Sequence, residues 1–416
     1  MELTGKAICI VVENLPVPFD RRVWQESTAL KRAGAEVAVI CPTGKYADAY
    51  FEQIDGVRIY RYDLPLEGNG LLGYCLEYFS AYRNQARLLK RVWRDFDGLD
   101  AIQFCNPPDL LYLNALPYKK RYGTKLVFDH HDISPELYLA KFGRKDFIYR
   151  MLLHFEARSF SACDRSIATN ESYRAIATGR GGMDPDKVTV IRSGPALERF
   201  SAVEPREDLK KNNSIIIGYV GVIGQQEGVD HLLDAMKHLV QTFGYDQFHC
   251  YVCGNGPSLA GIKRYCTTLG IDEFVTFTGR IADSELMAIL STADICVNPD
   301  VHNEMNDKST MNKIMEYMAL GKPVVQYDLT EGRRSAGGSS LYVKPNDRLE
   351  FARAIKRLAD DPELRAEMGK VGMTRVREHM NWGIEAPKYI AVYSRLFESG
   401  PGANSKNPAP GAAAHR

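Results

Sequence analysis

Net charge is nearly absent from the 416-residue sequence, because 53 Lys and Arg residues are balanced by 52 Asp and Glu residues and leave +1 at pH 7. Without a basic excess, the chain carries no global charge signal for a nucleic-acid or membrane partner. A run of eighteen apolar residues is also missing, and the opening MELTGKAICIVVE lacks the basic start and cleavage site of a signal peptide. We therefore expect a cytoplasmic protein that binds no nucleic acid.

Cysteine is sparse as well, with nine residues scattered along the chain, as expected for reduced thiols. The one CxxC, formed by Cys250 and Cys253, falls inside a predicted strand. Residues three apart on a strand face opposite sides, so a metal or redox site is not expected there. Hydrophobic residues at 45% and charged residues at 25% are typical of a soluble globular protein, and the length favours two domains.

Short β-rich runs alternate with amphipathic helices twice along the chain. The first set extends from 7–13 to 188–193 and the second from 215–221 to 341–345. This alternation predicts an α/β protein with two parallel sheets covered by helices. Ligands of such sheets bind at the carboxyl ends of the strands, so a cleft between the two domains is the expected site.

The segment NDKSTMNKIMEYMALGKPVV, residues 306–325, predicts one helix that ends at Gly321 and leads into a strand. A helix N-terminus presents unpaired N–H groups and a partial positive charge, so it favours an anion such as phosphate. Glu316 lies about 10 Å further along the axis, which suits the ribose of a nucleotide sugar. The alternative is a capped core helix with one solvated glutamate. The polar residues at the predicted helix start are Ser309, Thr310, Asn312 and Lys313.

Three fragments of the second half, YVCGNGP, VTFTGRIADSELMAILSTADICVNPD and STMNKIMEYMALGKPVV, resemble the donor domain of the family 4 retaining glycosyltransferases. In the first half KRAGAEVAVICP, the His131-Asp132 pair and IRSGPALERF agree, so the resemblance covers nearly all of 7–398. It implies the GT-B fold, in which two Rossmann-like, doubly wound domains face each other across a cleft. The implied parts are an acceptor-side domain at 1–200, a linker at 201–213 and a donor domain at 214–380. A helix that crosses back to the first domain follows at 381–398, and a disordered tail at 399–416.

The resemblance implies transfer of a sugar from a nucleotide diphosphate sugar, UDP- or GDP-linked, to a hydroxyl of a glycan or lipid-linked acceptor. The anomeric configuration is kept, no cofactor or obligatory metal is needed, and polysaccharide or glycoconjugate biosynthesis is the expected setting. Consistently, no Asp-x-Asp pair follows a predicted strand. Fixed dipoles and cations must then stabilise the departing diphosphate. By resemblance Glu316 holds the ribose, and the loop glycines Gly221, Gly224 and Gly254 lie beside the donor.

Two departures from the family pattern concern this donor site. The family carries two glutamates separated by seven residues; Glu316 matches the second, and the first, which binds donor-sugar hydroxyls, falls on Lys308. The family's arginine and lysine in the loop after the first donor-domain strand fall on Val222 and Glu227. Acidic or polar substitutes for the first glutamate are available in the same loop, at Glu304, Asn306 and Asp307.

The missing loop cations must be replaced from elsewhere. Lys313 is one candidate, and the stretch ENLPVPFDRRVWQES offers Arg21 and Arg22 in the first turn of a predicted helix. Two cations at a helix N-terminus are unfavourable without an anion. We hypothesise that Arg21 or Arg22 binds the diphosphate; the alternative is a solvated pair or an ion pair with Asp20 or Glu26.

The sequence DHHDISPELY, residues 129–138, concentrates titratable side chains at a strand end. By resemblance His131 is the active-site histidine and Asp132 orients nearby groups, while His130 is assigned to the acceptor side. The alternative for a histidine is a satisfied core residue. A zinc site formed by the four residues of DHHD is not expected, because consecutive strand residues alternate faces.

The loop NPPDLLYL resembles the family's next loop on the same rim, and there Asn106 or Asp109 could contact the acceptor. The alternative, which we favour for Asp109, is that it caps or begins a helix. Residues 71–96 combine aromatic and basic side chains in one helix, which fits peripheral contact with the inner membrane surface near a lipid-linked acceptor. A core-packed helix with a solvated basic side remains the alternative.

Two other functions stay open at this point. One is a sugar-nucleotide epimerase or hydrolase on the same fold, which would need no acceptor and predicts more carboxylates in the cleft. The other is a degenerate, non-catalytic binding protein, because the first glutamate and the loop cations are missing.

Overall fold

The computed structural model describes residues 2–44, 47–64, 71–197, 200, 202–210 and 214–398, with the backbone alone between 71 and 78. The predicted tail 399–416 and part of the predicted linker lie outside the described residues. The strands are β1 (Ala7–Val12), β2 (Glu36–Pro42), β3 (Phe51–Ile54), β4 (Val57–Tyr62), β5 (Ala101–Cys105), β6 (Lys125–His130), β7 (Arg165–Ala168), β8 (Val188–Val190), β9 (Ile215–Val220), β10 (Phe248–Cys253), β11 (Val275–Gly279), β12 (Ile295–Asn298), β13 (Val324–Tyr327) and β14 (Ser340–Val343).

The first sheet has the order β3-β4-β2-β1-β5-β6-β7-β8, and its neighbours are parallel except β3 and β4. The sequence did not predict β3, because its residues alternate between exposed and half-buried and form no buried apolar run. The sequence signal for β3 was the Asp-Gly turn that follows this strand. Asp55 and Gly56 take φ angles of 48° and 80°, as an Asp-Gly hairpin turn requires.

The second sheet has the order β11-β10-β9-β12-β13-β14, with every neighbouring pair parallel. All six strands predicted for this half are present. The prediction of two parallel, helix-covered sheets is thus confirmed. The carboxyl ends of both sheets carry the loops that form the cleft.

Helices cover both faces of each sheet and bury separate apolar cores. Among the described residues, no helix has the length and apolarity that crossing a bilayer requires. The helices are α1 (Arg21–Arg32), α2 (Leu71–Asp95), α3 (Tyr112–Tyr122), α4 (Ser134–Phe142), α5 (Phe147–Ala162), α6 (Glu171–Thr178), α7 (Val229–Gln241), α8 (Leu259–Leu269), α9 (Asp283–Thr292), α10 (Glu304–Lys308), α11 (Asn312–Ala319), α12 (Thr330–Ala336), α13 (Arg348–Asp360), α14 (Pro362–His379) and α15 (Trp382–Glu398).

The last helix, α15, packs on the first sheet although it follows the second in sequence. Its buried side chains join the core beneath β1 and β5. Tyr389 and Tyr393 donate hydrogen bonds from their hydroxyls to Gln103 Oε1 of β5, at 2.7 and 2.5 Å. Helix α15 is therefore tied to Gln103, a buried polar side chain of β5.

Candidate active site

Side chains from both halves of the chain meet across the cleft. Arg21, in the first turn of α1, donates from Nη1 to Glu316 Oε1 of α11 at 3.2 Å. Its Nη2 lies 3.9 Å from Asp283 Oδ1 of α9. Glu316 is 16% exposed, whereas Arg21 is 47% exposed. Arg21 thus remains open to the cleft while it contacts the residue predicted to hold the ribose.

Lys313 lies at the base of the loop that follows β9. Its Nζ donates to the two carboxylate oxygens of Asp300 at 3.0 and 3.1 Å and lies 5.0 Å from the ring centroid of Tyr219. Burial alone would lower the pKa of Lys313, but the Asp300 carboxylate outweighs burial and raises it. A Cβ on Gly221 would lie 3.5 Å from Lys313 Nζ. A fixed positive charge therefore lies beside the first residue of this loop.

The donor-side loops approach each other through their backbones. A Cβ on Gly254, whose φ is +150°, would lie 1.8 Å from the carbonyl oxygen of Gly221. A Cβ on Gly224 would lie 2.6 Å from Glu227 Oε2. Only glycine permits the approach at Gly254, so the predicted glycine-lined edge exists as a backbone surface.

The predicted helix start is corrected by the structure. Helix α11 begins at Asn312, which is exposed, and the polar pair before it lies in the turn after α10. Ser309 Oγ donates to a carbonyl of α10 at 2.7 Å, and Thr310 Oγ1 accepts from Asn170 Nδ2 at 3.0 Å. Ser309 and Thr310 therefore fix this turn against the first half rather than open the helix.

Lys308, at the position of the family's first glutamate, reaches across the cleft. Its Nζ donates to Glu136 Oε1 of α4 at 3.2 Å. Glu136 is 1% exposed and also accepts from Arg180 at 2.7 and 2.8 Å. Arg180 further binds the buried Glu156 at 2.5 and 2.7 Å. Two buried carboxylates thus share Arg180, and Lys308 supplies a second cation from the other half.

Arg22 points into the first half and is only 8% exposed. Its Nη2 donates to Asp129 Oδ1 at 2.8 Å, and its Nη1 donates to Ile191 O and Ser193 Oγ at 2.9 and 3.1 Å. Its Nε lies 3.1 Å from Glu26 Oε1. The hypothesis that Arg22 replaces the loop cations is therefore corrected, because all three nitrogens have protein partners.

His131 extends from the end of β6 into this network. Its Nε2 lies 2.6 Å from Asp129 Oδ2 and 3.1 Å from Arg22 Nε, and the side chain is 15% exposed. Burial raises the pKa of Asp129, but Arg22 and His131 outweigh it and hold that pKa low. Burial and the Asp129 charge raise the pKa of Glu26 well above its ordinary value. The pKa values of the two neighbouring carboxyl groups, Glu26 and Asp129, are therefore shifted in opposite directions.

Four potential metal ligands, from Glu26, Cys105, Asp129 and His131, lie within 4.8 Å of one another in this network. The Arg22 guanidinium already supplies the positive charge to both carboxylates. Burial and the Asp129 charge raise the pKa of Cys105 and keep it a thiol. The residues fit an ion-pair network better than a metal site.

Asn106 holds the turn that presents His131. Its Oδ1 accepts from the backbone N–H groups of His131 and Asp132 at 2.7 and 3.2 Å, and its Nδ2 donates to Asp132 O and Asp109 Oδ1. Asn106 and Asp109 are 2% and 4% exposed, so neither reaches an acceptor as predicted. Asp109 does not cap α3 either, since Leu111 precedes that helix. Asp132 is partly buried, which raises its pKa.

His130 faces away from the cleft, because successive strand residues point to opposite sides. It is fully buried, and its ring centroid lies 5.1 to 5.3 Å from those of Phe128, Phe160 and Tyr173. Its Nε2 is 3.4 Å from Glu156 Oε1. The acceptor-side prediction for His130 is therefore wrong, and its alternative as a core residue holds.

Comparison with known proteins agrees with this arrangement. Residues 20–199 match the family described as Glycosyltransferase Family 4, and residues 214–361 match Glycosyl transferases group 1. The chain belongs to the family 4 glycosyltransferases. It is 30% identical over 192 residues to 2-deoxystreptamine glucosyltransferase of Streptomyces kanamyceticus, covering 44% of this chain and 47% of that one. It is 28% identical over 219 residues to MMP alpha-(1->4)-mannosyltransferase of Mycolicibacterium hassiacum, covering 52% and 50%. The chain spans about half the length of these curated relatives.

Solved structures of other glycosyltransferases share the fold over nearly the whole chain. Sucrose-phosphate synthase of Thermosynechococcus elongatus superposes with a TM-score of 0.79 at 20% identity, over 95% of this chain and 100% of that one. Anabaena HepE in complex with UDP-glucose superposes with a TM-score of 0.70 at 16% identity, over 94% and 99%. The predicted GT-B fold is confirmed.

The cleft also contains side chains that the sequence patterns did not single out. Asp129 could have been found, since it shares a strand face with His131 two residues on. Gln103 is a polar residue inside a buried strand, and its Nε2 donates to Glu26 Oε2 at 2.7 Å. Asp300 follows β12 at the carboxyl edge. Glu136, on α4, carried no signal for its contact across the cleft, because Lys308 comes from the other half.

Proposed function

We propose that the protein is a retaining glycosyltransferase that moves a hexosyl or N-acetylhexosaminyl group from a UDP- or GDP-sugar to a hydroxyl acceptor. A glycan or lipid-linked acceptor in cytoplasmic polysaccharide or glycoconjugate biosynthesis fits best. The observation that carries the proposal is the 3.2 Å contact between Arg21 and Glu316 across the cleft. A ribose diol needs a carboxylate and a diphosphate needs a cation, and this pair offers both at one point. The UDP-glucose complex of HepE supports a nucleotide sugar donor.

When the donor binds, Arg21 and Glu316 would exchange their contact with each other for contacts with the nucleotide sugar. The ribose hydroxyls would donate to Glu316, and the Arg21 guanidinium, 47% exposed, would turn to the diphosphate. Lys313 would supply a second charge at the glycine-lined loop, where the backbone can approach the phosphates closely. These preorganised charges would stabilise the leaving diphosphate and make an obligatory metal unnecessary.

In the transfer step the bond from the anomeric carbon to the phosphate oxygen breaks, and a bond to the acceptor oxygen forms on the same face. The acceptor proton passes to the departing phosphate oxygen. His131 is oriented by Asp129 at 2.6 Å and by Asn106 through its backbone N–H at 2.7 Å. It would bind a hydroxyl of the sugar or acceptor rather than serve as the general base, and Asp132 would flank it.

The first test is a thermal-shift panel of UDP, GDP, ADP, dTDP and UMP without metal. A ligand at a hundred times its dissociation constant adds about 2.7 kcal/mol of stability. One diphosphate should stabilise the protein while its monophosphate does not. If no diphosphate acts, the degenerate binding protein becomes the better description. Sugar release from the matching donor without any acceptor would instead favour the epimerase or hydrolase.

Arg21→Ala sharpens this test. We expect it to weaken diphosphate binding about tenfold or more, because one charge-assisted contact is worth roughly 1.5–3 kcal/mol. Uridine or guanosine binding should change little, since Glu316 remains. Arg353→Ala, an exposed arginine on α13, is the matched control. Unchanged diphosphate affinity in Arg21→Ala would remove Arg21 from the donor site.

A further inference from the structure

We propose that the hairpin of α4 and α5 is a docking surface for an anionic lipid bilayer. Three large apolar side chains lie exposed within ten residues of this hairpin. Phe147 is 77% exposed, Phe142 57% and Met151 36%. Exposed aromatic side chains gathered at one turn are unusual on a soluble surface and indicate an interaction site.

The charge around these side chains specifies the partner. Residues 138–158 contain five Lys and Arg residues against two acids. Both acids are engaged within the protein: Asp146 caps α5 and lies 3.0 Å from Arg144, and Glu156 is buried against Arg180. Arg144 and Asp146 offset each other's charge, and the remaining Lys and Arg residues leave the exposed surface positive, which fits anionic headgroups. The basic residues are Lys141, Arg144, Lys145, Arg150 and Arg158.

The side chains form one continuous face. Phe147, Arg150, Met151, His154 and Arg158 follow the spacing i, i+3, i+4, i+7 and i+11 along α5, and all five are exposed. The apolar members lie at the end of α5 nearest the α4–α5 turn, and the basic members continue along the helix. An interfacial helix has this arrangement, with apolar side chains inserted among the headgroups and cations facing the phosphates.

The position of the hairpin relates the bilayer to the cleft. Helix α4 begins two residues after Asp132, and its Glu136 binds Lys308 across the cleft. Phe142 lies six residues beyond Glu136, about 9 Å along the helix. A bilayer at this turn would thus lie beside the cleft, where a lipid-linked acceptor could enter. The entry of such an acceptor rests on the proposed function, whereas the docking does not.

Helix α2 is the competing surface, since the sequence predicted membrane contact for residues 71–96. Phe79 and Tyr82 are 58% and 39% exposed, so the alternative of a wholly core-packed apolar side does not hold for them. Cation–ring contacts occur on both surfaces and do not separate them: Arg83 lies 5.6 Å from the Phe79 ring in α2, and Lys145 lies 5.8 Å from the Tyr149 ring in the hairpin. We assign the docking to the α4–α5 hairpin because Phe147, at 77%, is more exposed than Phe79 and because α4 borders the cleft.

The experiment is flotation of the full chain with vesicles of phosphatidylcholine alone or with 30% phosphatidylglycerol, for the wild type, F142S/F147S and K145E/R150E. The α2 variant F79S/Y82S is the matched control, and thermal unfolding checks that each variant is folded. We expect binding only to the anionic vesicles and at least a tenfold loss of the partition coefficient in both hairpin variants. The control should change it less than twofold.

Four results would overturn the proposal. They are equal binding to neutral vesicles, no binding to either vesicle, unchanged partition in the hairpin variants, and a loss confined to F79S/Y82S. Light scattering adds a further arm: a wild-type dimer that F142S/F147S dissociates would show that a second copy of the chain covers this surface instead. Diphosphate binding measured on the same variants should stay at the wild-type level, which separates failure here from failure of the donor site.

Discussion

The two edges of the cleft are built in different ways. On the first-sheet edge, Arg22, Asp129 and His131 form a buried network of charged side chains in which each group is positioned by the next. On the second-sheet edge, Gly221 and Gly254 bring two loop backbones into contact, and one buried lysine supplies the charge. The first edge depends on charge pairing, and the second depends on the absence of side chains.

The difference explains how adjacent arginines come to have separate tasks. Arg22 is enclosed by the first edge and orients its carboxylates, while Arg21, one residue before it, faces the second edge and remains exposed. A sequence pattern that records only the number of cations cannot distinguish the role of Arg21 from that of Arg22. We therefore expect the first edge to fail when a charge is removed and the second when a side chain is added.

The largest effect is expected for Arg22→Ala. Removing the guanidinium leaves Asp129 buried without its main counter-charge, and breaking a buried pair in this way costs about 3–5 kcal/mol. Urea unfolding at pH 7 measures it. Arg21→Ala is the matched control and should cost no more than about 1 kcal/mol, because its ion pair is exposed. Equal costs for the two variants would contradict the distinction between them.

Gly254→Ala should break the second edge through shape alone. Its Cβ would lie 1.8 Å from Gly221 O at a φ of +150°, so the loops after β9 and β10 must separate. We expect a loss of about 2–3 kcal/mol and weaker diphosphate binding. Gly261→Ala is the control: it lies in α8, where its Cβ meets nothing closer than 4.0 Å, and it should be neutral or stabilising. A wild-type melting temperature in Gly254→Ala would refute the backbone contact.

This contrast also shows what the sequence could predict. Alternating strands and helices define both sheets, whereas Glu316 and His131 were assigned through the resemblance to family 4. The turn between α10 and α11 could not be predicted, because Asn170 from the other half holds it. His130 and Asn106 were misassigned for a related reason: burial depends on which face packs on α5 and on which loop closes over the turn.

The pH dependence of stability tests the first edge at Asp109. Burial raises the pKa of Asp109 from 3.8 to about 6, so the folded state binds this proton more tightly than the unfolded state. The associated stability is complete below about pH 4 and is lost as pH rises through 6. The substitution Asp109→Asn removes this loss of stability at higher pH. Its stability relative to wild type should improve by up to about 3 kcal/mol between pH 4 and 7, at about 1.4 kcal/mol per pKa unit.

Chemical denaturation at each pH would show this change. Asp48→Asn, at an exposed position, is the control for the loss of one aspartate charge. The same pH profile for Asp109→Asn as for Asp48→Asn would contradict the raised pKa of Asp109.

The smallest effect concerns the contact that joins the two edges. Lys308 replaces a family glutamate and donates to Glu136 at 3.2 Å, so the carboxylate now comes from the first half and the cation from the second. Because Arg180 still pairs with Glu136, Lys308→Ala should cost only about 1 kcal/mol. A double-mutant cycle with Glu136→Gln should give a coupling of about 0.5–1 kcal/mol. The exposed pair Lys356 and Asp360, within one helix, should couple at about 0.3–0.5 kcal/mol. A coupling near zero would mean that Lys308 does not hold the halves together and is free for the donor sugar.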